Sequence, residues 1–535
     1  MNRIILNVLF FLITFFLVFN NIPKQIQISF IGDLLQNKLS FYPFIVGFIY
    51  TLYCQYKYKN VLVNLDKFLK FILLYLVITL ISLLVGLYNY PYYDLIVNGP
   101  ITQIEKLPKI IEILNGFGID IDVKLLTALW MIARTIKGLL FDVVYAFGGA
   151  YMIYCWYYDD WKQGISIFIK GILIGLIIVI GYGCIEIFYL AGNDIAKNIL
   201  SALNPYIHVI KIDHNWWPPL LWAKQARSIF SEPSHFGNYL AFVLPVLWCL
   251  ILNIKPFNKF IKTILFVLTF LFTLLIFLTQ ARTATAMLFG MMFLYTLFLI
   301  YLSKKDYWKN FAKIVLVSIT AFSVSLTFIN NFVNNNQTTK QINNFVNNNQ
   351  ITKQINNYVD HNFLSLLESN ERSNGARYAL IKSNLRIASN HIFLGVGKGL
   401  TGAYVNDNFT EEEKQNKEIN MWVTNQKKEG VLRYGLGAMN EYVGRFAETG
   451  IIGLAIFLFP FIYVVLELLK KLKSSRDDEQ VKILMLLTSL IGVMVAGMNG
   501  SLNIFYGTWI ILGLCYAALL CKNENKEIGI KINNE

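Results

Sequence analysis

The chain has 535 residues, 56% of them hydrophobic and 15% aromatic, with a formal charge of +14 at pH 7. Apolar runs of roughly 20 residues recur along its whole length, which excludes an ordinary soluble domain and points to an all-α, polytopic integral membrane protein. In that setting the excess of lysine marks cytoplasmic loops rather than a nucleic-acid partner. The six cysteines, Cys54, Cys155, Cys184, Cys249, Cys515 and Cys521, lie in or beside apolar runs, which excludes a disulfide framework and a CxxC zinc pair.

The first run, IILNVLFFLITFFLVF, is followed by no small-residue cleavage site and is read as a retained helix. About twelve spans of helical length are expected. They lie near 4–19, 41–55, 68–87, 126–156, 164–190, 235–253, 261–279, 283–303, 312–329, 447–469, 482–498 and 503–521. Short basic connections orient them: Lys57, Lys59, Lys67 and Lys70; Lys255, Lys259 and Lys262; Lys304, Lys305, Lys309 and Lys313; Lys470, Lys471, Lys473, Arg476 and Lys482. All four groups fall on one side, so that side is cytoplasmic and both termini lie there. Four regions result: N-terminal transmembrane helices and outer segments over 1–234, central helices over 235–329, a long extracytoplasmic loop over 330–446, and C-terminal helices with a short cytoplasmic tail over 447–535.

The outer segments hold the polar chemistry. GFGIDIDV carries Asp120 and Asp122, a D-x-D read as a solvated turn; no metal is expected. His208, His214, Trp216, Trp217 and Trp222 precede RSIFSEPSHFGNYLA, and the tryptophans suit either an interfacial belt or sugar stacking. Arg227 in that stretch and Arg282 in TQARTATAML sit at helix mouths, where a permanent guanidinium charge is costly unless it meets an anion. Together they suggest a phosphate or pyrophosphate gripped at the membrane surface. In the long loop NFVNNNQTTKQIN is followed by NFVNNNQITKQIN and a decayed third copy over 331–359, an Asn/Gln-rich spacer. RYALIKSNLRIASNHIFLGVGKG reads as an amphipathic helix ending in glycines, and NDNFTEEEKQNKE as a charged, mobile stretch. GVGKG lacks the spacing of a nucleotide phosphate loop.

These pieces, in order, resemble the O-antigen polymerase/ligase family of bacterial surface-polysaccharide assembly. RSIFSEPSHFGNYLA is similar to that family's R-x-x-x-x-E-P segment, TQARTATAML to its helix-start arginine, RYALIKSNLRIASNHIFLGVGKG to its arginine-led helix, and MNEYVGRFAETGIIGL to its H-N-x-[YF]-L…E-x-G segment. The resemblance covers roughly 220–460. It implies a nucleotide-independent glycosyltransferase of the bacterial inner membrane, without metal or cofactor, acting on undecaprenyl-pyrophosphate-linked glycans. A flippase and a chain-length regulator are its expected partners. Carried over residue by residue, Arg227, Arg282 and Arg377 would bind substrate phosphates or donor glycan, and Asn440 and Glu441 would lie at the acceptor. One departure matters: Met439 stands where many members, ligases above all, carry histidine. The catalytic base is then sought among Glu441, Glu232 and His235. A helix-start position such as that of His235 disfavours its protonated form. Glu441 is alternatively an i+4 partner of Arg445. Polymerisation of lipid-linked repeat units is the reading this favours. Alternatives are a ligase moving glycan to lipid A or protein, and a flippase or secondary transporter.

The orientation has a direct check. A reporter active only in the periplasm should be active when fused after Asn362 and silent when fused after Lys473; the reverse pattern overturns the side assigned to the long loop.

Overall fold

The computed structural model describes residues 1–28, 35–208, 218–253, 259–334, 372–503 and 506–521, and the described residues are helical with no strand. The helices of the bundle are α1 (Arg3–Phe15), α2 (Phe41–Tyr58), α3 (Leu65–Tyr88), then short α4 (Tyr93–Val97) and α5 (Leu107–Gly116), α6 (Val123–Leu140), α7 (Gly148–Tyr157), α8 (Trp161–Leu190), α9 (Asp194–Ile207), α10 (Pro233–Leu252), α11 (Lys259–Leu278), α12 (Arg282–Leu302) and α13 (Lys305–Phe328). After the undescribed stretch come α14 (Arg372–Asn390), α15 (Thr401–Asp407), α16 (Glu411–Lys414), α17 (Lys417–Glu429), α18 (Glu441–Ser474), α19 (Asp477–Ala496) and α20 (Gly507–Leu519). Nine helices among the described residues are long and apolar enough to cross a membrane. The other three expected spans coincide with α1, α2 and α20, which are shorter or less apolar.

Helix α10 is the axis of the bundle, with 89% of its apolar window buried. It packs on α19, α12, α11 and α8. Pro233 opens it, where a missing N–H costs nothing and the fixed φ suits the first turn. Gly237 lies against the backbone of Ala284, so the first turns of α10 and α12 touch directly. In α8, Gly171 and Gly175 face Thr14 and Val18 of the first helical segment; a Cβ at Gly171 would strike the Thr14 side chain. Small residues on one stripe let membrane helices approach closely.

Two irregularities shape one end of the bundle. First, α6 and α7 are joined by a π-helical segment, Phe141–Phe147, which carries the buried Asp142. Such insertions rotate the following helix and present a side chain that regular winding would not. Second, α18 is kinked at Gly450, whose φ is 65°. The kink disturbs the ladder around Ala447 and Glu448, and their carbonyls are met from outside: Val396 N–H donates to Ala447 O (2.9 Å) and Gly397 N–H to Glu448 O (2.9 Å). Ile451 N–H donates to Ile392 O (2.8 Å). Ser82 of α3 donates to Leu394 O (2.5 Å) and Glu448 O (2.8 Å). The glycines of HIFLGVGKG thus serve a backbone-to-backbone clasp. Gly395, Gly397 and Gly399 all take positive φ there.

That clasp seats a second hydrophobic cluster at the same end. Leu83, Leu87, Tyr90, Leu126, Met131, Ala376, Leu380, Ile387, Val405, Ile419 and Trp422 pack together, so the helices after 372 rest on the 83–131 region. Helix α14 is amphipathic as its sequence suggests, burying Ala376, Ala379, Leu380, Ser383, Asn384, Ile387 and Ala388. The stretch after Asn406, expected to be mobile, is instead helical. Thr410 and Glu413 form a capping box at α16, and Arg386 grips Glu413 with both terminal nitrogens (2.7 and 3.0 Å). A dense charge run is tied down by one bidentate pair. The repeat expected over 331–359 lies almost wholly outside the described residues.

Replacing Gly450 by alanine should destabilise the fold by about 1–2 kcal/mol from the left-handed backbone alone, with a further cost because the new Cβ meets the Phe393 carbonyl. A thermal melt in detergent measures it; an unchanged midpoint would mean the kink is not strained.

Candidate active site

The residues picked from the sequence divide into two groups. Arg227 is 1% exposed and turned inward. Its guanidinium donates to the carbonyls of Pro219 (3.1 Å), Leu220 (2.9 Å) and Ser231 (3.2 Å). Glu186 of α8 accepts from the backbone N–H groups of Arg227 (3.1 Å) and Ser228 (2.6 Å). Arg227 therefore folds the segment before α10 around itself, with its donors directed at that segment's carbonyls. Close by, burial and the Arg227 charge hold His208 well below its usual pKa, so it is neutral.

The second group gathers around the short segment 497–503, between α19 and α20. Arg377 of α14 donates to Asn499 Oδ1 (3.1 Å). Asn440 caps α18, its Oδ1 accepting from Tyr442 N–H and Val443 N–H (both 3.0 Å), while its Nδ2 donates to Met498 O (2.9 Å). Glu441 accepts from Leu502 N–H (3.2 Å). Lys38, from the segment before α2, donates to Asn503 O. The start of α10 joins from the other side: Asn238 lines a small void with Gly497, Ser501 and Leu502, His235 Nδ1 lies 3.1 Å from Ser231 Oγ, and Glu232 and Lys38 both act electrostatically on His235. Arg282 begins α12, within a turn of the Gly237–Ala284 contact. Burial pushes Lys38 down to about 8. Sequence reasoning assigned no role to Lys38 or to GMNGSLN. The signal present was a polar break between two apolar runs, which reads equally as a turn.

Behind this surface lies a buried ionic network. Arg445 Nε donates to Glu441 Oε1 (2.7 Å), so the i+4 pair forms. Arg445 Nη1 donates to Asp142 Oδ2 (3.0 Å) and to the Tyr75 hydroxyl (2.6 Å), and Nη2 to Asp142 Oδ1 (3.3 Å). Tyr75 donates to Asp142 Oδ2 (2.7 Å), and Lys398 pairs with the same carboxylate. The Arg445 guanidinium also lies 4.0 Å over the Phe457 ring. Met439, just before Asn440, has φ 51° and is 40% exposed.

Asp122 caps α6, accepting from Leu125 N–H at 3.2 Å. Among the described residues no three His, Cys, Asp or Glu side chains gather as a metal site. His214, Trp216, Trp217 and His361 lie outside the described residues.

Taken together, a multi-helix membrane bundle brings Arg377, Asn440, Glu441 and Lys38 onto the 497–503 segment. Comparison with known proteins gives one partial match. Residues 267–458 match the family model described as O-antigen ligase. That match, over a little more than a third of the chain, assigns the stretch from α11 to the kinked half of α18 to the O-antigen ligase/polymerase family. Members of the family are membrane enzymes acting on glycans in surface-polysaccharide assembly. The matched stretch includes Arg282, Arg377, Asn440 and Glu441; Lys38, Asp142, Arg227, Glu232 and His235 lie outside it. No curated protein matches the chain.

Asp142→Asn should lower stability by about 3–5 kcal/mol, because two buried cations lose their shared counter-charge. Combined with Arg445→Gln, the loss should fall short of the sum by about 0.5–3 kcal/mol. Strict additivity in melts of the purified protein would mean the two groups do not interact.

Proposed function

We propose that the protein polymerises undecaprenyl-pyrophosphate-linked oligosaccharide repeat units on the outer face of the bacterial inner membrane. The observation that supports polymerase over ligase is the exposed Met439 next to Asn440, where many family members, ligases above all, carry histidine. A thioether takes no proton, so the acceptor hydroxyl is handled elsewhere.

The reaction needs few parts. A sugar hydroxyl of the acceptor attacks the anomeric carbon of the donor glycan. The bond from that carbon to the lipid pyrophosphate breaks, and the pyrophosphate leaves with the electron pair, still attached to its lipid. Arg282 and Arg377 hold the phosphates and stabilise the charge that develops. His235, with Glu232 beside it, takes the hydroxyl proton. Glu441 holds Arg445 and the Leu502 N–H, so in this scheme it positions the 497–503 segment, as Asn440 does by its cap and its bond to Met498. Arg227 shapes the approach to α10 from within, through the carbonyls it binds. The donor bond itself supplies the driving force, and no nucleotide, metal or other cofactor enters the scheme. A ligase acting on lipid A or protein differs only in its acceptor.

A deletion strain should keep surface molecules carrying one repeat unit and lose the long ladder; long lipid-linked chains piling up instead would make the protein a ligase. Purified protein should lengthen lipid-pyrophosphate-linked repeats with no nucleotide sugar added. Arg282→Ala should abolish that elongation at normal protein level, and His235→Gln and Glu441→Gln should each slow it at least about tenfold, a barrier increase of about 1.4 kcal/mol. Full-length product from Arg282→Ala would reduce that arginine to an interfacial anchor.

A further inference from the structure

The expected spans leave 191–234 outside the membrane, yet α9, within that stretch, turns back along the end of α8. Only Ala191, Gly192 and Asn193 part the two helices, and Gly192 takes a φ of 89°. Asn193 caps α9, its side chain accepting from Ala196 N–H (2.9 Å). Near the far end of α9, Asn204 Oδ1 accepts from the Tyr182 hydroxyl of α8. Tyr182 and Asn204 stand at nearly equal distances along the chain from Gly192, so α8 and α9 form an antiparallel hairpin.

Helix α9 has three sectors. Ala196, Leu200 and Asn204 are buried and face α8. Asp194, Lys197 and Asn198 form an exposed polar sector on one side of that buried face. On the other side Ile195, Ile199, Leu203 and Tyr206 form an exposed apolar stripe, with Ile195 71% and Tyr206 77% exposed. Apolar residues scattered singly over a surface need no partner, whereas a continuous stripe beside a polar sector marks a contact.

Helix α8 identifies that contact. It is long and apolar enough to cross a membrane, and Ile174, Ile177 and Phe188 form its own exposed apolar stripe. On α8 this stripe precedes the direction of Tyr182 by about 110° of helical rotation, and on α9 the apolar stripe precedes the buried sector by about the same angle. A two-fold axis relates the members of an antiparallel pair, so equal offsets in one sense set both stripes on one side of the hairpin. The surface that α8 gives to lipid therefore continues onto α9. Depth agrees with this. Lys170 is the last exposed charge on α8, and roughly 20 residues of helix cross the hydrocarbon, which reaches the end of α8 near Leu190. Snorkelling of Lys170 by about one turn still leaves Tyr182 inside. The charges of α9, Asp194 and Lys197, lie in its first turn beside that end, and 198–207 carries none.

We propose that α9 is a re-entrant helix, set into the outer leaflet against α8, with acyl chains of membrane lipid covering Ile195, Ile199, Leu203 and Tyr206. The outer side is the one assigned by the basic loops. Returning backbone is tolerated at membrane depth where protein answers its polar groups, and the hairpin does so internally. Asn204 Nδ2 donates to Leu220 O, the carbonyl that Arg227 also binds. Through that bond the lipid-set helix props the segment leading into α10. This goes beyond the glycan-assembly reading and does not depend on it.

The test uses the full chain with Ile199→Cys, Leu203→Cys or Lys197→Cys, labelled with nitrobenzoxadiazole and read by fluorescence in phosphatidylcholine nanodiscs. Unsubstituted protein labelled in parallel gives the contribution of the native cysteines. All three substitutions replace exposed side chains, so the fold should tolerate them. At positions 199 and 203 the emission should shift to the blue, lose most of its intensity when the acyl chains carry bromine, and resist aqueous iodide. At position 197 iodide should quench and bromine should not. Iodide quenching at 199 and 203 as strong as at 197 overturns the proposal, because the stripe then faces water. Quenching by neither agent also overturns it, because protein, such as a second copy of the chain, then covers the stripe. Equal bromine quenching at all three positions overturns the two-sided placement of α9. Elongation plays no part in the readout, so the outcome is independent of the polymerase reading.

Discussion

A carboxylate buried in a membrane bundle is tolerable only if its charge is answered where it lies. Asp142 is answered by a guanidinium on both oxygens, by an ammonium, and by a tyrosine hydroxyl. Those partners come from three different places, α3, the 398–400 turn and α18, and Asp142 itself from the π segment. Separation of any of these elements would strand a charge in a poorly solvating interior, at a cost of several kcal/mol. The network therefore fixes where α18 begins relative to α3 and α6. Through Glu441 and Leu502 it also fixes where the 497–503 segment sits. The polar surface built on that segment inherits its geometry from one buried acid.

The kink of α18 works to the same end by backbone means. Gly450 breaks the helix just where the chain turns from the membrane toward the α14–α17 layer, and the carbonyls so affected are met by the N–H groups of Val396 and Gly397. Without that clasp Lys398 would not lie over Asp142, and Glu448 would not lie against Gly399. The Gly-rich run and the E-x-G segment, some fifty residues apart, are two halves of one joint. Their resemblance to family motifs thus has a structural cause as well as a chemical one.

Much of the architecture was legible in the residues because hydrophobic runs of helix length leave few alternatives. The all-helical, many-span class follows from that alone, and α14 is plain from its periodicity. The family was legible from the order of weak motifs, and the match over 267–458 bears it out. The site was legible only in outline. Asn440 and Arg377 were singled out, and they meet at one segment, but through residues that carry no signal of their own. Met498 and Leu502 take part by backbone atoms, which any residue supplies. Charge density misled at 406–418, where a local cap and one arginine from α14 outweighed the tendency of a charged run to stay unfolded.

The sequence by itself determined what is local or additive: which stretches are apolar enough for the bilayer, which loops carry the positive charge, and where caps and breaks fall. Only the tertiary structure decided which charges are partners. Asp142 and Arg445 are three hundred and three residues apart, and Tyr75 and Arg445 three hundred and seventy. Arg227 reads from the sequence as an arginine at a helix mouth, and the packing directs its donors at its own loop's carbonyls. No spacing along the chain encodes such pairings. They depend on where a side chain points once helices distant in sequence have packed, and a buried charge settles on whichever partner that packing brings within reach.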